Sequence, residues 1–153
     1  MRIRSVLVVA TLLLPLAAFA QKPTILIAGT WEGESICVVR DSPCHDEHVV
    51  YEISRDTSAE KNSSGASLDW KMDAYKIVNG EKQPMGSLRC SFDEPKKNLS
   101  CLTKARMEVD WEYFFVGDHL RGMLRVGSEK TLYRKVSANR IHQNYGIDSG
   151  EER

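Results

Sequence analysis

Apolar and polar side chains alternate with period two along nearly all of the chain after Gly29, and no later stretch carries a convincing helical period. In "RMEVDWEYFF", Met107, Val109, Trp111, Tyr113 and Phe115 stand against Glu108, Asp110 and Glu112. "TWEGESICVV" sets Trp31, Gly33, Ser35 and Cys37 against Glu32, Glu34, Ile36 and Val38. "HVVYEIS" groups Val49, Tyr51 and Ile53, and "LDWKMDAYKIV" groups Leu68, Trp70, Met72 and Ala74. Successive side chains of an extended chain point to opposite faces, so this period marks strands that bury one face. "SLRCSF", "LSCLT", "HLRGMLRV" and "KTLYRKV" complete eight strands, joined mostly by short turns rich in Gly, Asp, Asn and Pro.

Eight short-linked strands in chain order read as an antiparallel meander, and burial on one face then requires a sandwich or a closed barrel. Closure removes the exposed sheet edges, and eight strands enclose room for packed side chains or for one small ligand. The sequence therefore predicts an all-β fold, an eight-stranded antiparallel up-and-down barrel.

The N-terminus, "MRIRSVLVVATLLLPLAAFAQ", has two arginines, an apolar core and Ala18-Phe19-Ala20, the small-x-small pattern cut by signal peptidase. Cleavage after Ala20 makes Gln21 the mature N-terminus and sends the protein to the periplasm or the exterior. No later run approaches the roughly 20 apolar residues of a membrane span. The expected organisation is a signal peptide over 1–20, an arm over 21–28, the barrel over 29–140 and a polar tail over 141–153. The signal holds Arg2 and Arg4 but no acid, so the mature chain has 19 basic and 21 acidic residues, a net charge of −2. Such a balance offers no footprint for nucleic acid. The chain is read as a monomer.

Four cysteines follow the signal, Cys37, Cys44, Cys90 and Cys101. An even number in an oxidising compartment points to disulfides. Cys37 with Cys44 and Cys90 with Cys101 each bracket a turn-like segment, so local pairing is expected. A four-thiolate zinc site would need closer C-x-x-C pairs.

Gly29-Thr30-Trp31 at the start of the first strand resembles the G-x-W that opens the lipocalins and the wider calycin group of small-ligand barrels. In that group the tryptophan closes the barrel floor, and an arginine near the end of the last strand packs across it. The resemblance implies a floor of Gly29, Trp31 and Arg134, with Arg140 just beyond in sequence. Fatty-acid-binding proteins also begin G-T-W, but they insert a helical pair where this chain has a cysteine-flanked hairpin. They grip a ligand carboxylate with an R-x-Y on the last strand, and here "TLY" puts Thr131 where that arginine would stand. The T-D-Y-like middle lipocalin motif is absent. Periplasmic inhibitors of metalloproteases use a similar barrel.

Two histidines flank two carboxylates in "HDEH", His45 to His48. On an extended strand His45 and Glu47 point one way and Asp46 and His48 the other, so the four cannot converge on one metal ion. Ser58-Ala59-Glu60-Lys61 matches the S-x-x-K of penicillin-interacting enzymes, but no S-D-N or K-T-G accompanies it. Asn62 and Asn98 begin glycosylation sequons, meaningful only in a eukaryotic secretory pathway. No Ser, His and Asp set falls on one site, and every thiol is committed to a bridge. The chain is therefore read as a non-enzyme without cofactor or metal. Ser35, Tyr51, Trp70, Met72, Met107, Trp111 and Tyr113 fall on inward faces, and they form the expected lining for a small apolar or amphipathic ligand. The competing reading is a protein-binding module, such as an inhibitor of a secreted hydrolase, with a solid barrel core.

Overall fold

The structure is a computed structural model, and it describes residues 27–58, 65, 67–102 and 109–142. Eight strands follow one another: β1 (Gly29–Cys37), β2 (Glu47–Arg55), β3 (Trp70–Val78), β4 (Glu81–Asp93), β5 (Asn98–Leu102), β6 (Val109–Val116), β7 (His119–Val126) and β8 (Thr131–His142). Each pairs antiparallel with its neighbours in sequence, and β8 returns to β1, so the sheet closes into an up-and-down barrel. Both local disulfides form, Cys37–Cys44 and Cys90–Cys101. Cys90 and Cys101 stand directly opposite each other on β4 and β5. Such bridges suit an oxidising, extracellular location. No helix among the described residues is long and apolar enough to cross a membrane.

Turn chemistry explains the tight connections. Asn79 and Gly80 join β3 to β4 with φ of 53° and 82°, the two positive values that a type I′ hairpin turn requires. Closure depends on a glycine of another kind. Gly33 faces inward opposite Ala138, and a Cβ there would sit 2.6 Å from the Ala138 Cα and also collide with the Ser137 carbonyl. Only a bare Cα lets the first and last strands approach this closely.

Two strands run beyond their expected limits. β4 begins at Glu81 rather than Ser87, with Pro84 opposite Tyr75 and a register shift that leaves Met85 unopposed. A bulge is one of the few places where a strand accommodates a residue that lacks an N–H. β8 continues to His142, because its inward positions there are Ala138 and Arg140, whose small and charged side chains hide the alternation from a hydropathy reading.

One half of the interior is solid. Trp31, Phe115 and Phe92 meet edge to face, with centroids 5.1 Å and 6.1 Å apart, and Trp70 joins Phe92 at 6.2 Å. Ile53, Met72, Leu99 and Leu120, all fully buried, fill the spaces around them. Rings arranged this way gain from their quadrupoles as well as from burial. This packed end forms a base for the more open half above it.

Candidate functional site

A cavity of about 370 Å³ occupies the other half, at the end where β1 finishes and β2 begins. Its walls come from the matching halves of neighbouring strands. Ala74, Leu88, Trp111 and Leu124 supply the apolar surface, and Met85, 43% exposed, stands at the rim beside Gly86. The bulge in β4 places Gly86 opposite Ala74, so two of the smallest residues face each other across the β3–β4 wall. That pairing leaves the volume that larger side chains would fill.

The polar groups gather on one side. Ser35, Tyr51, Tyr113, Arg134 and Glu47 all line the cavity, together with Tyr133. Trp111 stacks on Tyr113 at 5.7 Å and 6°, and Tyr51 meets Tyr113 edge to face at 5.6 Å. Gly122 makes the slot for the central ring: a Cβ there would lie 2.7 Å from Tyr113 Cδ1. The Tyr113 hydroxyl is buried and has no hydrogen-bond partner among the described residues. Tyr51, whose hydroxyl is near enough to Tyr113 and Ser35 for each to influence its ionisation, is pushed up to about 12, chiefly by burial. Burial also pushes the Tyr113 phenol well above its ordinary value. Both rings are therefore neutral hydroxyl donors at physiological pH.

Arg134 is held firmly. Its Nε donates to Ser35 Oγ at 2.9 Å, and its Nη2 donates to the Ser35 carbonyl at 3.2 Å and the His45 carbonyl at 2.7 Å. Glu47 completes the set with an ion pair at 2.9 Å. The guanidinium side chain is 12% exposed and the Glu47 carboxylate 27%, so the positive charge in the cavity wall has its counter-ion beside it.

Arg134 was expected on the barrel floor, and the structure corrects that placement. The residue over Trp31 is Arg140, with its guanidinium carbon 4.2 Å from the ring centroid. Antiparallel register puts Trp31 opposite Arg140 and Cys37 opposite Arg134, at the two ends of the β1–β8 seam. Arg140 also donates to the Ala28 carbonyl at 2.7 Å and pairs with Asp118 at 2.9 Å. The inward positions at the end of β8, Ala138 and Arg140, carry no apolar alternation, so the hydropathy pattern stops near Val136 and makes Arg134 look terminal.

Ser35, Tyr51, Trp111 and Tyr113 come together on the cavity as the alternation indicated. Trp70 and Met72 point inward but belong to the packed base, where Arg55 caps Trp70 at 4.3 Å. Met107 lies outside the described residues, as do Asn62 and Lys61. Glu47, Leu124 and Arg134 were missed as lining. Their parity with Tyr51, Leu120 and Val136 was the available signal.

The remaining motifs have local partners. Glu47 turns inward and His48 outward, where its two ring nitrogens meet Glu32 at 2.7 Å and Glu34 at 2.8 Å. The Asp46 carboxylate accepts from the Cys37 backbone N–H at 2.8 Å. Ser58 is tied to Arg89, and Asn98 is buried and accepts from the Ser100 hydroxyl at 2.8 Å.

A comparison with known protein families found no matching family model, and a comparison with curated proteins found no match. The closed eight-stranded antiparallel barrel is compatible with a lipocalin-like fold.

Proposed function

We propose that this is an exported, lipocalin-like protein that binds a small apolar or amphipathic molecule inside the barrel and carries out no chemical step on it. The observation that carries the reading is the half-filled interior: a cavity of about 370 Å³ with apolar walls and polar groups on one side. Small-molecule sites typically fall at roughly 300 to 1,000 Å³ and combine mainly apolar walls with a few placed polar groups. A buried tyrosine hydroxyl without a partner supports it further, since leaving such a group unpaired costs about 1 to 3 kcal/mol and a ligand would recover that cost. The alternative, an inhibitor of a secreted hydrolase built on a solid barrel, has no use for this space. Export rests on the apolar N-terminal segment and on the two disulfides.

Native mass spectrometry of the protein purified from its own host tests the reading. A co-purifying small molecule, released on denaturation, is the expected result. A bare protein that also fails to take up any apolar probe would count against ligand binding and favour the inhibitor.

A further inference from the structure

The polar side of the cavity selects among ligands, and its charges have already been used. Arg134 presents the only cationic group among the described lining residues, and two of its three nitrogens are engaged by Ser35 and the His45 carbonyl, with Glu47 paired to it. An anionic head group entering here would meet the Glu47 carboxylate as well as the guanidinium, and it would lose its own hydration in a site with apolar walls. Burying a charge without a dedicated partner is far more costly than burying a neutral polar group. The group that does lack a partner is a neutral one. Tyr113 Oη is fully buried, its ring is fixed between Trp111, Tyr51 and the bare Cα of Gly122, and its one polar neighbour, the Tyr51 hydroxyl, does not meet the geometry of a formed hydrogen bond.

We propose that the ligand presents an uncharged oxygen, as an alcohol, ketone, ester or amide carbonyl, that accepts a hydrogen bond from Tyr113 Oη, on an apolar body lying against Leu88, Trp111 and Leu124. Ser35 strengthens the choice. Its oxygen accepts from Arg134, so the hydroxyl keeps a proton to donate, either to the Tyr51 oxygen beside it or to a ligand oxygen that competes for it. At packing like that of an organic liquid the cavity holds roughly ten to fifteen non-hydrogen atoms, about the size of a ten-carbon chain with one head group. This inference rests on the ligand-binding reading above.

The test uses the mature protein and 1-aminonaphthalene, a neutral fluorescent probe small enough for the cavity, displaced in turn by 1-decanol, 2-decanone and decanoate at about pH 8, where the acid is ionised. Decanol and decanone are expected to displace the probe at least about tenfold more effectively than decanoate. Tyr113→Phe removes a hydroxyl with no protein partner, so it should melt no lower than the wild type while losing roughly three- to tenfold in decanol affinity. Glu47→Gln frees the Arg134 charge and should improve decanoate without improving decanol. Decanoate binding as tightly as decanol to the wild type, or decanol affinity unchanged in Tyr113→Phe, would overturn the head-group assignment and leave small-molecule binding standing. Failure of the probe and of all three decyl compounds to bind would overturn both.

Discussion

Arg140 and Trp31 close the barrel floor by a contact that needs the shape of both side chains. The guanidinium carbon sits 4.2 Å from the indole centroid and Nη1 reaches the Ala28 carbonyl, while the indole N–H donates to the Ile27 carbonyl at 3.1 Å. Lysine would keep the charge but lose the planar fork and the second donor. A double-mutant cycle on Trp31→Phe and Arg140→Lys should report a coupling of about 0.5 to 2 kcal/mol, and the same cycle with Arg134→Lys a coupling near zero. His48 offers a second residue-scale outcome. Both its nitrogens face carboxylate oxygens, so both must carry protons, and the Glu32 bond, followed by the Glu34 bond, raises its pKa above the ordinary histidine value. A raised folded-state pKa contributes stability that is complete below the unfolded value of about 6.5 and is lost as pH rises through the folded one. Wild-type stability should therefore decline just above that value relative to His48→Gln, as read from denaturation midpoints across pH. The ring is 40% exposed, so solvent and salt keep the difference small. Equal slopes in the two proteins would show that the clamp contributes nothing.

At the scale of elements, parity was legible and depth was not. Alternation along a strand tells which side chains enter the barrel, and it placed Tyr51, Trp111 and Tyr113 correctly inside. It carries no information about level, which depends on the register between neighbouring strands. Trp70 and Met72 share the inward parity of the lining residues, yet their β2 partners Arg55 and Ile53, the latter opposite Gly29 at the floor end of β1, set both in the packed base. The first half of β4 was hidden because Pro84 and Gly86 read as a turn until the bulge that accommodates them is seen. The disulfides were legible from spacing, and their effects should differ. The bridged residues are 7 and 11 positions apart, which in the chain-entropy account gives each bridge about 2 to 3 kcal/mol. Cys37–Cys44, however, adjoins the His45 carbonyl and Glu47 that hold Arg134. Replacing both of its cysteines by alanine should weaken decanol binding, whereas the Cys90/Cys101 double alanine variant should lower stability and leave affinity nearly intact. Calorimetry on the two proteins separates these outcomes.

The whole molecule depends on one seam. Every other strand pair joins neighbours in sequence, but β1 and β8 meet across almost the full length of the domain, so their pairing is the last to repay the entropy of closing a loop. The seam also carries both ends of the function: Arg140 over Trp31 at the floor, and Arg134 on Ser35 at the cavity. Gly33 lies between them, opposite Ala138, and the atoms an added methyl would strike are backbone atoms of β8 that cannot rotate away. Gly33→Ala would gain roughly 0.5 to 1 kcal/mol from reduced chain entropy in an unobstructed strand. Here the clash should dominate and cost about 2 to 3 kcal/mol. Its distinguishing mark would be local: in hydrogen exchange the amides of β8 that bond to β1 should lose protection first, while the β3–β4 hairpin stays protected. Gly122→Ala is the matched comparison, because its added methyl strikes the Tyr113 ring and reaches β8 only at the Val136 side chain, 3.0 Å away, not at the seam backbone. It should disturb ligand affinity with β1–β8 protection retained. Uniform loss of protection in Gly33→Ala would mean that the barrel opens as one cooperative unit and that the seam is no weaker than the rest of the wall.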